Sequence, residues 1–254
     1  MTVTHELNGA VGVVTLAKPP HNLIDDALID GLIAAYGAVL SAGCRAILLR
    51  SAMRHFCAGA DLNSFNTTTF IHADKSRFND YLRVLDDAPV PTVAAVHGGA
   101  LGGGLEIALT CDTIICADTA TLGQVECTVG LLPLLGGTQR IAQRAGVARA
   151  KEIVMLGRRY TPEAFERWGI VNLVVPEADL PAASLTWARQ LAAGPTAVLK
   201  GAKHLANLAA REGVAAADAE QIHTNDAIWT TADRERGFTA FFATGPASAV
   251  FKGD

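Results

Sequence analysis

Charge of one sign is what this sequence most lacks: 21 Lys and Arg stand against 25 Asp and Glu, for a net charge of −4 with no block of like charge. That leaves no electrostatic footprint for nucleic acid or for an anionic membrane surface. Aromatic residues are also scarce, at 6%, so the core must be built from Ala, Val, Leu and Gly within a 50% hydrophobic composition that excludes a disordered chain. The five cysteines, Cys44, Cys57, Cys111, Cys116 and Cys127, are odd in number and include no CxxC pair. They read as small buried thiols in a reducing compartment, not as a disulfide framework or metal site. A secretory signal is missing too, since MTVTHELNGAVGVVTL has neither a basic start nor an unbroken apolar run, and a cytoplasmic protein is the expectation. On that reading the sequon Asn66-Thr67-Thr68 is coincidental.

Several catalytic signatures are absent as well. No register gives GxGxxG and no Gly-Lys-Ser/Thr occurs, which disfavours dinucleotide and P-loop sites. There is no GxSxG and no HExxH, so Ser-triad and zinc hydrolysis lack support. GxxxG does occur, at Gly98/Gly102 and Gly99/Gly103, but not in a membrane helix. Five glycines at about 1 kcal/mol of helix propensity each, with His97 and Glu106 alongside, make a poor spanning segment.

What is present is a glycine-dense turn, Gly98, Gly99, Gly102, Gly103 and Gly104, between the apolar strand Thr92–Val96 and a short helix Leu105–Thr110, with a second strand at Thr113–Ala117. Unpaired N–H groups at such a turn favour an anion. A second free N–H from the small-residue loop His55–Leu62, at Ala58-Gly59, would complete an oxyanion hole, each donor contributing about 2.7–4 kcal/mol to a transition state. Two carboxylates, Glu106 and Glu126, lie in the same apolar stretch. Burial raises a carboxyl pKa toward neutrality and suits it to proton transfer.

Elsewhere, strands are predicted over 3–7 and 11–16 about an Asn8-Gly9 turn, over 45–51 and over 170–175. A core-facing helix spans 23–40, with Asn22 as its N-cap and Gly43 just beyond its end. Residues 63–75 are polar and expected to be irregular and mobile, leading into a helix over 76–87. Helices follow at about 138–146 and 148–156, and Thr161-Pro162-Glu163 opens another. Beyond Leu180 only helices are expected, at 180–193, 195–210, 214–229 and 231–243. This change from alternating β and α to pure helix divides the chain into a core, 1–190, and a helical region, 191–254.

FCAGADL (56–62), AVHGGALGGGLEIALTCD (95–112), LGQVE (122–126) and GGTQR (136–140), in that order, resemble the enoyl-CoA hydratase/isomerase, or crotonase, family. The LAKPPHNLID opening and the ADRERGFTAFF helix extend the resemblance along the chain. It implies an α/β crotonase fold, repeated ββα units in a spiral followed by a C-terminal helical region that assembles trimers or hexamers. It also implies an acyl-CoA thioester as substrate, with coenzyme A part of that substrate and no separate cofactor or metal. The N–H groups of Ala58 and Gly103 would hold the thioester oxygen. Ala58, Gly59, Ala60, Asp61 and Leu62 would line the CoA cleft, with the adenine near Ala60 and Asp61. Glu106 would activate water and Glu126 would protonate Cα, which implies an enoyl-CoA hydratase.

Three departures matter. Leu134-Leu135 replaces a small Gly-Ala pair in a loop that lines the acyl pocket. Lys18 stands for the usual Arg. Ala243-Thr244-Gly245 lacks the family's CoA-contacting lysine, although Phe241 is retained. Another crotonase-fold reaction (isomerase, dehydratase, thioester hydrolase or lyase) and a non-catalytic acyl-CoA-binding relative are the alternatives. An RNA-binding member is disfavoured by the acidic balance. His21, His55 and His97 are read as packing or surface residues, and Asp61 doubles as a helix N-cap.

Overall fold

Midway along the chain, a strand in a large sheet is twice followed by one in a small sheet and then by a helical segment. The computed structural model describes residues 1–65 and 77–254. Its strands are β1 (Val3–Asn8), β2 (Val11–Leu16), β3 (Ala46–Ser51), β4 (Thr92–Val96), β5 (Gly99–Leu101), β6 (Thr113–Ala117), β7 (Thr121–Gly123) and β8 (Leu173–Val175). The helices are α1 (Asp26–Ser41), α2 (Leu62–Phe65), α3 (Arg77–Asp86), α4 (Gly103–Leu109), α5 (Gly137–Ala145), α6 (Val147–Leu156), α7 (Pro162–Arg167), α8 (Leu180–Ala193), α9 (Thr196–Glu212), α10 (Val214–Trp229) and α11 (Ala232–Thr244).

The large sheet has the order β1-β2-β3-β4-β6-β8, with β1 antiparallel to β2 and every other pair parallel. Parallel strands covered on both faces carry unbroken apolar runs instead of alternation, and β2 and β4 are buried at every position. Helix α1 packs on β1 and β2, while α8 crosses β2, β3, β4 and β6. The small sheet pairs β5 with β7, and a parallel bridge between Cys57 and Ala100 joins the loop after β3 to it.

Helix α9 buries only Gly201 and is held to the core by charge. Lys203 pairs with Asp112 at 3.1 Å, and Arg211 with Asp86 and Asp87 at 2.6 and 2.8 Å. The chain's end folds back on α11, where the buried Asp233 carboxylate accepts the N–H groups of Lys252 and Gly253.

Asn22 does not cap α1. Asp25 does, accepting the Leu28 N–H at 3.0 Å. Asn22 instead sits fully buried at φ +54°, a left-handed conformation that asparagine tolerates better than most residues. Its Oδ1 accepts the Lys18 N–H at 2.8 Å, and its Nδ2 donates to Ser51 Oγ at 2.8 Å and to the Phe56 carbonyl at 2.9 Å. It thereby ties the entry to α1 to the loop after β3. Asn22→Ala orphans buried groups and strains φ, and is expected to cost about 2–4 kcal/mol in urea denaturation.

The strand expected over 170–175 is only Leu173–Val175, and Ile170 and Val171 fill the core before it. Residues 63–65, expected to be irregular, belong to α2. The rest of the expected mobile segment, 66–75, lies outside the described residues, and so does the sequon.

Candidate active site

The glycine turn is built by two left-handed glycines and one close backbone approach. Gly98 and Gly102 take φ of +58° and +53°, and Gly102 both bonds to the Gly123 carbonyl and caps α4. At Gly104 an added Cβ would lie 2.0 Å from the Cys57 carbonyl oxygen. The first turn of α4 is therefore pressed on the backbone of the 55–62 loop. Among the described residues the Gly103 N–H donates no hydrogen bond.

The partner loop corrects one expectation. The Ala58 N–H is not free: it donates to the His21 carbonyl at 3.1 Å. Ala60 supplies the open donor instead. It forms a parallel bridge with Ile24, in which the Ile24 N–H goes to the Gly59 carbonyl and the Asp61 N–H to the Ile24 carbonyl, both at 2.9 Å. A parallel bridge takes its bonds from the residues flanking the bridged one. The Ala60 N–H thus points the other way, with no acceptor among the described residues. Ala60 and Gly103 line one cavity with Glu106 and Glu126.

Glu106, in α4, is 2% exposed, and its Oε1 accepts the N–H groups of Leu135 and Gly137 at 2.9 and 2.7 Å. Its Oε2 lies beside Gly103, 3.8 Å from where a Cβ would stand. Glu126 opens the short 3-10 turn Glu126–Val129, and its Oε1 is 2.9 Å from the Cβ position of Gly102. The two carboxyls therefore flank adjacent residues of the turn. Burial pushes the Glu106 carboxyl up to about 7; its two N–H bonds oppose this and the Glu126 charge adds to it. Burial also raises Glu126, whose Oε2 is buried without a partner. A carboxyl raised by burial toward neutrality can exchange a proton near neutral pH, which suits this pair to acid–base chemistry.

The cavity, about 50 Å³, is walled by Ile24, Phe78, Leu131, Leu132, Leu134 and Leu135. Leu134 and Leu135 do face the carboxylates, Leu135 buried and Leu134 at its rim. Asp61 caps α2 through Asn63 and Ser64, and Leu62 is exposed. Phe241 is not brought to the cavity: it lies half-exposed on α11 against Phe242. A far larger cleft, about 690 Å³, runs between α3, α5 and α9. Its cations are occupied, Arg140 by Asp86, Lys203 by Asp112, Arg211 by Asp86 and Asp87, and Arg144 by the Cys111 carbonyl, so size alone does not mark the chemistry. Among the described residues no cluster of His, Cys, Asp and Glu has the arrangement to hold a metal ion.

Sequence reading missed the free Ala60 donor, the two N–H groups that hold Glu106, and Gln124, which is fully buried with its Nε2 3.4 Å from Glu126. The signal for Gly137 was present: only glycine fits there, because a Cβ would meet Gln124 Nε2 at 2.5 Å and Glu106 Cγ at 2.9 Å.

The family model for enoyl-CoA hydratase/isomerase matches residues 6–252. A "probable enoyl-CoA hydratase" from Rhizobium meliloti is 32% identical over 246 residues, 95% of each chain. One of the same description from Mycobacterium bovis is 31% identical over 242 residues, 94% of each. Among solved structures, an enoyl-CoA hydratase from Bacillus anthracis superposes with a TM-score of 0.92 over the whole of both chains, at 28% identity. One from Geobacillus kaustophilus gives 0.90 at 29% identity, covering 100% of this chain and 99% of the other.

Proposed function

The chain belongs to the enoyl-CoA hydratase/isomerase family and has its crotonase fold, and from that premise we propose that it adds water across the 2,3 double bond of a 2-enoyl-CoA to give the 3-hydroxyacyl-CoA. The observation that carries this reading is the pair of raised carboxyls, Glu106 and Glu126, beside adjacent glycines of a turn whose Gly103 N–H has no acceptor among the described residues. The thioester oxygen sits between the N–H groups of Ala60 and Gly103, which draw electrons from the double bond and make Cβ electrophilic. Water lies between the carboxyls. Its oxygen bonds to Cβ as Glu106 takes up the proton it sheds, and Glu126 delivers a proton to Cα as the enolate collapses. The two proton transfers cancel, and the net change is one water added. Residues Gly59 to Leu62 line the way in for coenzyme A.

The direct test is to incubate the purified protein with a short 2-enoyl-CoA and follow loss of the conjugated absorbance, with the product's mass as identification. Double-bond migration or thioester cleavage without water addition would overturn the reading.

The acyl end is bounded by leucine. Leu134→Ala opens the rim without emptying the core, since Leu134 is 44% exposed. At about 0.8 kcal/mol per accommodated methylene, the preference in kcat/KM for an eight-carbon over a four-carbon substrate is expected to rise by about 5- to 10-fold. Competition between the two substrates measures it.

The protein is further proposed to assemble as a trimer, or a hexamer of two trimers, through the helical region. Exposed Ile222, Trp229, Phe238, Phe241 and Phe242 on α10 and α11 supply apolar surface for it. Light scattering should give three or six times the 26.5 kDa chain mass, and a monomer would exclude it.

A further inference from the structure

The two halves of the proposed oxyanion hole are on different segments, Ala60 after β3 and Gly103 after β5, so their separation depends on what locks those segments together. The lock begins as a parallel ladder. Cys57 N–H goes to the Gly99 carbonyl and Leu101 N–H to the Cys57 carbonyl, both at 3.1 Å. One step earlier, a continued ladder would send the Gly99 N–H to the His55 carbonyl. That carbonyl is already taken, by Ser51 Oγ at 2.7 Å and by Asn22 Nδ2 at 3.3 Å. The His55 ring takes its place: the Gly99 N–H donates to His55 Nδ1 at 2.9 Å. The fit is close. A Cβ at Gly98 would lie 2.3 Å from the Arg54 carbonyl and 3.0 Å from His55 Nδ1, and Gly99 is buried.

The geometry points to His55 as a positioning residue of the oxyanion hole, its bare Nδ1 holding the Gly99 N–H and thereby setting the distance between Ala60 and Gly103. This rests on the hydratase reading for its effect on turnover, but not for the clamp itself. The role requires a neutral imidazole carrying its proton on Nε2, because an imidazolium has two donors and no acceptor. The surroundings favour that form. Burial first, and then the charges of His21, Arg54 and His97, hold the His55 ring below its ordinary value. The His21 ring stands 5.2 Å away, and His97 Nε2 is held by the Met53 carbonyl at 2.8 Å. Acid should open the clamp: below the ordinary imidazole range near 6.5, protonation of Nδ1 expels the Gly99 N–H and loosens the turn.

Two variants separate positioning from packing. His55→Ala removes the acceptor, whereas His55→Asn places an amide oxygen close to where Nδ1 stood, an acceptor at every pH. Hydrogen–deuterium exchange over residues 97–104 reads the clamp without substrate, and kinetics on a short 2-enoyl-CoA read the hole. In His55→Ala, exchange there is expected to quicken and kcat to fall by at least about 10-fold, with KM moving less than about 3-fold, as for a donor that acts in the transition state. His55→Asn should restore both at pH 7.5 and retain a larger share of its activity at pH 5.5 than the wild type does. Unchanged exchange and kcat in a folded His55→Ala would overturn the inference. So would acid limbs that superimpose for wild type and His55→Asn. If the wild type hydrates no enoyl-CoA, the functional reading falls while the exchange arm still decides the clamp.

Discussion

Replacing Glu106 by Gln is expected to lower turnover of a short 2-enoyl-CoA by about 10²- to 10⁴-fold and, at the same time, to make the protein more stable above neutral pH. Both effects come from the same burial. In the folded chain the carboxyl is raised to about 7 from 4.5, by desolvation before anything else. The folded state thus holds this proton more tightly than the unfolded state does. That contribution to stability is complete below about pH 4.5 and is lost as pH rises through about 7, a swing on the order of 3 kcal/mol. Glutamine keeps an oxygen to accept the N–H groups of Leu135 and Gly137 but has no proton to lose, so it escapes the swing. Urea denaturation of wild type and variant should diverge steadily from pH 5 to pH 8, with the variant ahead. Glu126→Gln should lose turnover to a similar degree, because in this mechanism Glu106 takes the proton from water and Glu126 is the one that delivers a proton to Cα. Turnover within 10-fold of wild type in either variant would remove the two-carboxylate mechanism, whatever the fold. A stability difference that does not change with pH would show that Glu106 is not the buried acid the geometry makes it.

The same residues show how far local sequence reaches. Helix 214–229 was legible to both ends because its limits are chemical, with Gly213 and Thr230 on either side and good helix formers between. The hairpin of β1 and β2 followed from β-branched residues on either side of an Asn-Gly turn. The carboxylates stood out because acids in an apolar stretch are rare. The turn around Ala58 was legible only as a place where a backbone N–H would be free. Which N–H it is depends on partners distant in the sequence: the His21 carbonyl takes that of Ala58, and the Ile24 bridge turns that of Ala60 outward. Asn22 departs from its expected capping role for the same reason, since a polar residue before an apolar run looks like a cap until Ser51 and Phe56 arrive to claim its amide. The small sheet was hidden because a strand of three residues, Gly99–Leu101, inside a glycine turn has no alternation to show. Propensity and periodicity are properties of neighbours, while the satisfaction of a particular hydrogen bond belongs to the whole fold.

Gly104→Ala tests that distinction most severely, because local and global reasoning give opposite signs. Gly104 is in α4, where alanine is the better helix former by about 1 kcal/mol, and its φ is not in the left-handed region. Propensity alone therefore expects stabilisation. The added methyl, however, would lie 2.0 Å from the Cys57 carbonyl oxygen and 2.7 Å from its carbon. That carbonyl cannot retreat. It holds the Leu101 N–H, and the Cys57 thiol is fixed on the Asn22 carbonyl at 3.0 Å. Overpacking a core typically costs about 1–3 kcal/mol where side chains can shift, and more where backbone must. The net change is expected to be a loss of at least about 3 kcal/mol. Gly37→Ala is the control: in α1, exposed, with nothing within 4 Å of its Cβ position, it should stabilise by about 0.5–1 kcal/mol. Gly103→Ala is intermediate, since the tightest contact of its methyl would be the Ile24 Cδ1 at 2.7 Å, a side-chain end that can rotate away at the expense of cavity space. The three should rank in urea denaturation as Gly37→Ala above Gly103→Ala above Gly104→Ala. Whatever fraction of Gly104→Ala folds must do so by pushing the Cys57–Ala60 backbone away from α4, which separates the Ala60 and Gly103 donors. Its turnover per folded molecule should therefore fall along with its stability. Gly104→Ala as stable as wild type would mean that the helix and the loop are not in the close contact that forms the hole.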